Sequence, residues 1–350
     1  MLTSRRLAIL ATCLSLALPA GAAAQRDAPA TALRNPVEIA DGRRLNVVCA
    51  GDRGPSIIFA NGLGSSVLDW RQVQGEVARF ARACVYDRAG SGYSDPSPHP
   101  SSASFVVEDL RALLDRGFVK KPVVIVGHSA GGLFATLYAE RYPTDVAGLV
   151  LVDPSLTNQF RDWTRRYPAQ RRRTLPILQK GKALLARCAR LAQDGQLTLA
   201  RPSICTRAVG LSPAGGYSSA ELAYLSHQAL NPAFYQTLIA EEEAALPFKG
   251  ETDQNSVDES RERQSLGDIP VTVLTSGVRG INGVSATPEE EAAWREFWRG
   301  GHERLARKSS RGQAVELPNA GHLIQKDDPA AVVAAIRKVI AQGVAETRRR

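Results

Sequence analysis

The sequence predicts an α/β protein with a mostly parallel central sheet, flanking helices and an inserted helical segment. Three observations carry that prediction. Short apolar runs alternate with segments of helical periodicity, which is the pattern of strands buried on both faces. The rhythm stops between Pro154 and Asp268, where several helical stretches and no convincing strand occur. A serine stands on a tight corner between an apolar strand and a helix, in VIVGHSAGGLFATLYAERYP (124–143).

The elements follow in order. A polar linker, Gln25 to Asn35, precedes the first β signal. RLNVVC (44–49), PSIIFA (55–60) and ACVY (83–86) read as strands, the last running into DRAGSGYSD. Residues 105–116 read as a helix, with Val106, Leu110, Leu113 and Leu114 as an apolar stripe among charges. VVIV (123–126) is a strand, and Leu133, Phe134, Leu137 and Tyr138 give the next segment helical spacing. AGLVLV (147–152) and PVTVL (270–274) are strands, and 314–317 is the last, before a final helix from about Pro329 to Ala345. Within 154–268, Leu178 to Leu191 and Ala220 to Ala245 read as helical. A loop that long without structure of its own is implausible in a compact domain.

The N-terminus has the form of a secretory leader. Met1 to Arg6 is basic, Leu7 to Leu18 is apolar, and Ala22-Ala23-Ala24 places small residues before Gln25. The apolar run is shorter than the ~20 residues needed to cross a bilayer. Residues 1–24 are therefore expected to be a signal peptide, the mature chain to be periplasmic or secreted, and no stable membrane insertion to follow cleavage. The formal net charge is +9, with Arg5 and Arg6 in the leader. The excess concentrates between Arg161 and Arg190, with ten basic residues and one acid, Asp162. Such runs are usually solvated surface, though they can attract anionic compounds. No aromatic interleaving points to nucleic acid. Cys13 leaves with the leader, and Cys49, Cys84, Cys188 and Cys205 remain. An even number in an exported chain suggests two disulfides, with three possible pairings.

Gly127-His128-Ser129-Ala130-Gly131 is a G-x-S-x-G pattern between a strand and a helix. The chemistry needs the serine on a strained turn at the sheet edge, with flanking glycines where a side chain would strike backbone. The helix N-terminus adds a positive dipole where an oxyanion would form. The simpler alternative is a helix N-cap. A serine hydroxyl needs a base to become a nucleophile. His99 lies in a Pro/Ser loop, His128 adjoins the serine, His227 falls in the insertion, and His302 sits among glycines and charges. His322 follows a strand and Asn319-Ala320-Gly321, precedes the last helix, and lies C-terminal to the serine. It is the candidate base, with a buried structural histidine as the alternative. No spacing of histidines and cysteines suggests a metal, and no glycine loop matches a nucleotide fingerprint.

With FANGLGSS (59–66), YDRAGSGYSD (86–95), VGHSAGG (126–132), LVLVDPS (149–155) and LPNAGHLIQKDDP (317–329) in this order, the chain resembles an α/β-hydrolase-fold serine hydrolase. The resemblance implies the α/β-hydrolase fold, with a core of 25–154 and 269–350 and a helical cap of 155–268. It implies Ser129 as nucleophile, His322 as general base, and the backbone N–H groups of Leu63 and Ala130 as the oxyanion hole. Asn61-Gly62 stands where the family usually has His-Gly. The turn at Asp87-Arg88-Ala89-Gly90 is expected to be structural. The family's commonest acid position, just after PVTVL, holds no carboxylate here. Asp153, after AGLVLV, fits a position used by some members. Glu289 to Glu291 are the alternative, and a site without a true acid is the third case. The fold makes Cys49–Cys84 and Cys188–Cys205 the expected pairs. Asn61, Trp163, Tyr167, Phe234 and Tyr235 are candidate substrate contacts.

The function this implies is an exported, cofactor-independent serine hydrolase. It would cleave a carboxylic ester or related acyl bond of a small to medium substrate through an acyl-enzyme. Lactonase, thioesterase, amidase and cofactor-free haloperoxidase chemistry stay open. A serine at the corner argues against epoxide hydrolase and haloalkane dehalogenase chemistry, which place a carboxylate there. A ligand-binding protein on the same scaffold, with little or no turnover, is the reading from another class.

Overall fold

The apolar runs form the middle of one eight-stranded sheet. The computed structural model describes residues 33–39, 42–200, 203–211, 216–248, 250, 252–278 and 286–347. The expected leader and most of the linker lie outside them.

In chain order the elements begin with β1 (Pro36–Glu38), β2 (Arg44–Ala50), β3 (Ser56–Ala60), α1 (Arg71–Val77), β4 (Arg82–Tyr86) and α2 (Ala103–Leu114). β5 (Val123–His128), α3 (Ala130–Arg141) and β6 (Val146–Val152) follow. Among the described residues six helices come next: α4 (Gln159–Arg166), α5 (Pro168–Gln193), α6 (Ile204–Ala208), α7 (Ser219–Leu230), α8 (Pro232–Ala245) and α9 (Gln254–Ser260). The chain then returns to the sheet with β7 (Val271–Ser276), α10 (Pro288–Ala306), β8 (Gly312–Leu317), α11 (Ile324–Asp327) and α12 (Pro329–Thr347).

The strand order is β1-β2-β4-β3-β5-β6-β7-β8. Among the described residues only the β1–β2 and β2–β4 pairings are antiparallel. The parallel strands point their carboxyl ends to one edge, which is where open α/β sheets place their sites. β3, β5 and β7 are buried at every position, because helices cover both faces. Ile58 and Ala60 face a core shared with α2 and α3, while Ile57 and Phe59 face one shared with α1 and α12. That alternation is the two-residue period of a strand.

Several boundaries differ from the sequence expectation. The helical stretch 220–245 is two helices, because Pro232 cannot continue the hydrogen-bond ladder of α7. Pro232 instead starts α8, and the Asn231 side chain accepts from the Ala233 N–H. The stretch 178–191 is the later part of α5, which runs through Pro176. β1, α1 and α10 have no counterpart in the sequence reading. α10 opens with a capping box, in which Thr287 Oγ1 accepts from Glu290 N–H and Glu290 Oε2 accepts from Thr287 N–H.

The inserted helices have a small core of their own, containing Leu185, Phe234, Tyr235 and the disulfide Cys188–Cys205. Cys49 and Cys84 face each other across β2 and β4 and form the second disulfide. α9 docks on α2 by capping it from outside. Asn255 Oδ1 accepts from Ala103 N–H at 2.8 Å, and Asp258 Oδ2 from Ser104 N–H at 3.0 Å. Part of the basic run is paired, Arg173 with Glu290 and Lys182 with Glu243. Among the described residues no helix is long and apolar enough to cross a membrane.

Candidate active site

Ser129 has φ 54° and ψ −124°, a conformation that costs an L-residue ~1–3 kcal/mol and persists only where the surroundings impose it. They do so here. Ser129 N–H donates to Val152 O, while its carbonyl accepts from Gly132 and Ser155 N–H. The flanking glycines are there for want of space. A Cβ on Gly127 would lie 2.4 Å from Gly131 O, and one on Gly131 would lie 2.3 Å from Ala60 O. Ala130 is the first residue of α3, so its N–H has no acceptor within the helix. The loop after β3 abuts the corner, since a Cβ on Gly62 would lie 3.2 Å from Ser129 Cβ.

His322 Nδ1 lies 2.6 Å from Asp153 Oδ2. The carboxylate accepts, so Nδ1 carries the proton and a neutral ring leaves Nε2 as a base. Asp153 is wholly buried. It leaves β6 at φ 43° and donates its N–H to Leu274 O. Its Oδ1 accepts from Ser276 N–H at 3.0 Å, Ser276 Oγ–H at 2.9 Å and Trp298 Nε1–H at 2.7 Å. One oxygen is thus held by three donors and the other faces the imidazole. The alternative acids are elsewhere. Glu289 to Glu291 form the first turn of α10, where Glu290 caps the helix and holds Arg173 and Gln170.

His128, next to Ser129 in the chain, packs against His322. Its Nε2–H donates to His322 O at 2.9 Å, and the two rings are 4.6 Å apart. Burial, and then the neighbouring His322, push its pKa down to about 3, so it stays neutral as the Nε2–H tautomer. His302 is also buried. It donates Nε2–H to Pro154 O at 2.9 Å and accepts from Thr275 Oγ1 at 2.8 Å, holding the segment just after Asp153 against β7.

The five expected substrate contacts are all engaged within the fold. Asn61 donates Nδ2–H to Tyr86 O and accepts from Trp70 Nε1–H, so its amide ties the ends of β3 and β4. Phe234 and Tyr235 are buried in the core of the insertion, with the Tyr235 hydroxyl donating to Ala229 O. Trp163 is buried in a cluster with Trp294 and Trp298. Tyr167 packs on Trp163, with ring centroids 4.4 Å apart. The sequence reading missed Ser276, Trp298 and His302. Trp294, Trp298 and His302 recur every four residues, so they share one face of α10, and that stripe was the available signal.

A family model described as the alpha/beta hydrolase family matches residues 57–335. The chain belongs to that family. Among curated relatives, an uncharacterized Bacillus subtilis protein, YqjL, is 35% identical over 106 residues, 30% of this chain and 42% of that one. Mouse epoxide hydrolase 4 is 31% identical over 133 residues, 37% of this chain and 36% of that one. The matches thus span less than half the length of these relatives. A putative lipase from Acinetobacter baumannii shares the fold with a TM-score of 0.59 at 18% identity, over 91% of this chain and 93% of that one. A putative epoxide hydrolase from Klebsiella pneumoniae does so with a TM-score of 0.60 at 19% identity, over 90% and 100%. This alpha/beta hydrolase therefore has structural neighbours whose names span more than one chemistry, and its own residues must choose among them.

Proposed function

We propose that this hydrolase cleaves a carboxylic ester or related acyl bond of a small to medium substrate through an acyl-enzyme on Ser129. The observation that carries the proposal is the buried Asp153 carboxylate against His322 Nδ1 at 2.6 Å, beside a serine held on a strained corner. In this reading His322 Nε2 takes the proton from Ser129 Oγ as the hydroxyl attacks the acyl carbon. The developing oxyanion meets the N–H groups of Leu63 and Ala130. His322 returns the proton to the leaving group, and a water activated by the same nitrogen releases the acid. Asp153 holds the tautomer and stabilises the imidazolium. The helices of residues 155–268 would be the cap that bounds the substrate. Serine at the corner, where epoxide-opening members carry a carboxylate, favours acyl chemistry over that of the epoxide hydrolase relatives. The mature chain would be exported, in keeping with two disulfides.

The test is hydrolysis of p-nitrophenyl acetate and butyrate by the chain from Gln25, with labelling by a fluorophosphonate. The parent should turn over and label, and Ser129→Ala should lose both, with kcat down roughly 10⁶-fold. A parent that neither turns over nor labels would instead favour a binding protein on this scaffold.

A further inference from the structure

Arg88 follows Asp87 at the end of β4 and is buried. Its guanidinium makes three contacts in one fork. NH1 donates to Asn61 O at 2.5 Å and NH2 to Gly62 O at 2.9 Å. Nε pairs with Glu241 Oε1 on α8 at 2.6 Å. One of these contacts falls on the peptide unit whose other end matters most. The carbonyl of Gly62 and the N–H of Leu63 belong to the same peptide, and that peptide is not cis. In a trans peptide the C=O and N–H point in opposite directions. A donor that fixes Gly62 O therefore aims Leu63 N–H away from Arg88. It also polarises the unit, which strengthens the N–H as a donor.

We infer that Arg88 is a positioning residue that orients the Leu63 N–H for the oxyanion, and that Glu241 makes this orientation depend on the docked helical insertion. The inference rests on the acyl-enzyme reading above and adds a link between two parts of the chain. The oxyanion loop belongs to the sheet edge, while Glu241 lies far along the sequence in the insertion. Two further contacts bind the same regions. Leu63 packs both on the sheet core and on the core of the insertion. Gly92 N–H donates to Gln228 Oε1 of α7 at 2.8 Å. An insertion that shifts would take Glu241 from Arg88, and Arg88 would then be free to leave the two carbonyls.

Removing Arg88 alone would leave Glu241 buried without its cation, so the main test uses the double variant Arg88→Gln/Glu241→Gln, which removes both charges. Turnover of p-nitrophenyl acetate is measured beside inhibition by a short trifluoromethyl ketone, whose serine adduct carries an oxyanion. In the double variant kcat should fall ~10- to 100-fold, because one hole donor is misaligned, not lost. KM should change less than about threefold, and the inhibition constant should rise by the same factor as kcat falls. Arg88→Lys keeps the charge opposite Glu241 but not the planar fork, and should lie between parent and double variant on both measures. It also decides the matter if the double variant does not fold. A double variant with parental kcat, or a kcat loss in either variant without a matching loss of ketone binding, would overturn the inference. An inactive parent would overturn the acyl-enzyme reading itself, so the two failures are distinct.

Discussion

Asp87 follows β4 and Asp153 follows β6, both at the carboxyl edge of the sheet and both wholly buried. The oxygens of both accept several hydrogen bonds. Asp87 accepts from the Tyr224 hydroxyl at 2.6 Å, Asn46 Nδ2–H at 2.8 Å and Tyr93 N–H at 3.3 Å. Asp153 accepts from Ser276, Trp298 and His322. The difference is one partner. Each group on Asp87 is a donor with no further proton to manage near neutral pH. His322 on Asp153 has a second nitrogen able to take a proton. A buried carboxylate at a strand end is thus no sign of catalysis by itself. What it is hydrogen-bonded to decides whether it can act in a reaction or only hold a turn together.

The sharpest way to break this comparison is to amidate both residues. Asp153→Asn should lower kcat for p-nitrophenyl acetate by ~10⁴-fold, because the amide presents the wrong group to His322 Nδ1 and upsets the tautomer. Asp87→Asn should lower it less than tenfold. Losses of similar size in both variants would mean that the two aspartates are equivalent props of one loop network, and that the proposed triad acid is misassigned.

The parts of the fold legible in the sequence are those whose signal is local. β3, β5 and β6 are runs of Ile, Val, Leu and Phe bounded by turn residues, and such runs have no other stable place than the middle of a covered sheet. The Ser129 corner was legible because its glycines flank it in the chain. Asp153 and His322 were legible as strand-end residues in the order the resemblance implies. The contacts that organise the site were not legible. Arg88 meets Glu241 across 153 residues, and Trp298 meets Asp153 across 145, so no window of sequence contains both partners. The split between α7 and α8 is a different case. Asn231-Pro232 marked it locally, but the apolar spacing on both sides resembled one continuous helix.

A smaller effect separates the two aspartates through stability. Burial pushes the Asp87 pKa up to about 6 from 3.8, with its hydrogen bonds opposing the shift. Between those values the folded state holds a proton that the unfolded state has released. Stability contributed by the protonated form is therefore complete below pH 3.8 and is lost as pH rises through 6. The raised value corresponds to ~3 kcal/mol. Urea denaturation of parent and Asp87→Asn at a series of pH values should show the parent losing about that much relative to the variant over this interval. A constant difference would mean that the Asp87 pKa is the same in the folded and unfolded states. His128 has the opposite sign. Its pKa is depressed to about 3, so its contribution is present above 6.5 and fades as pH falls towards 3.

The smallest effect sharpens the comparison most finely, because it tests the seat of Asp153 and leaves the residue itself unchanged. Trp298→Phe removes the indole N–H from Oδ1 and preserves most of the aromatic packing against Trp294 and His302. The carboxylate keeps both Ser276 donors and His322. A hydrogen bond to a charged group contributes ~1.5 kcal/mol. If that contribution is felt only when the imidazolium forms, it is about tenfold in kcat. The same bond felt equally in ground and transition states would lower the melting temperature and leave kcat near that of the parent. A tenfold loss in kcat with a small change in KM would mark Trp298 as a residue that positions the acid for the reaction. A melting shift alone would place it with the partners of Asp87, as a donor that satisfies a buried carboxylate and does no more.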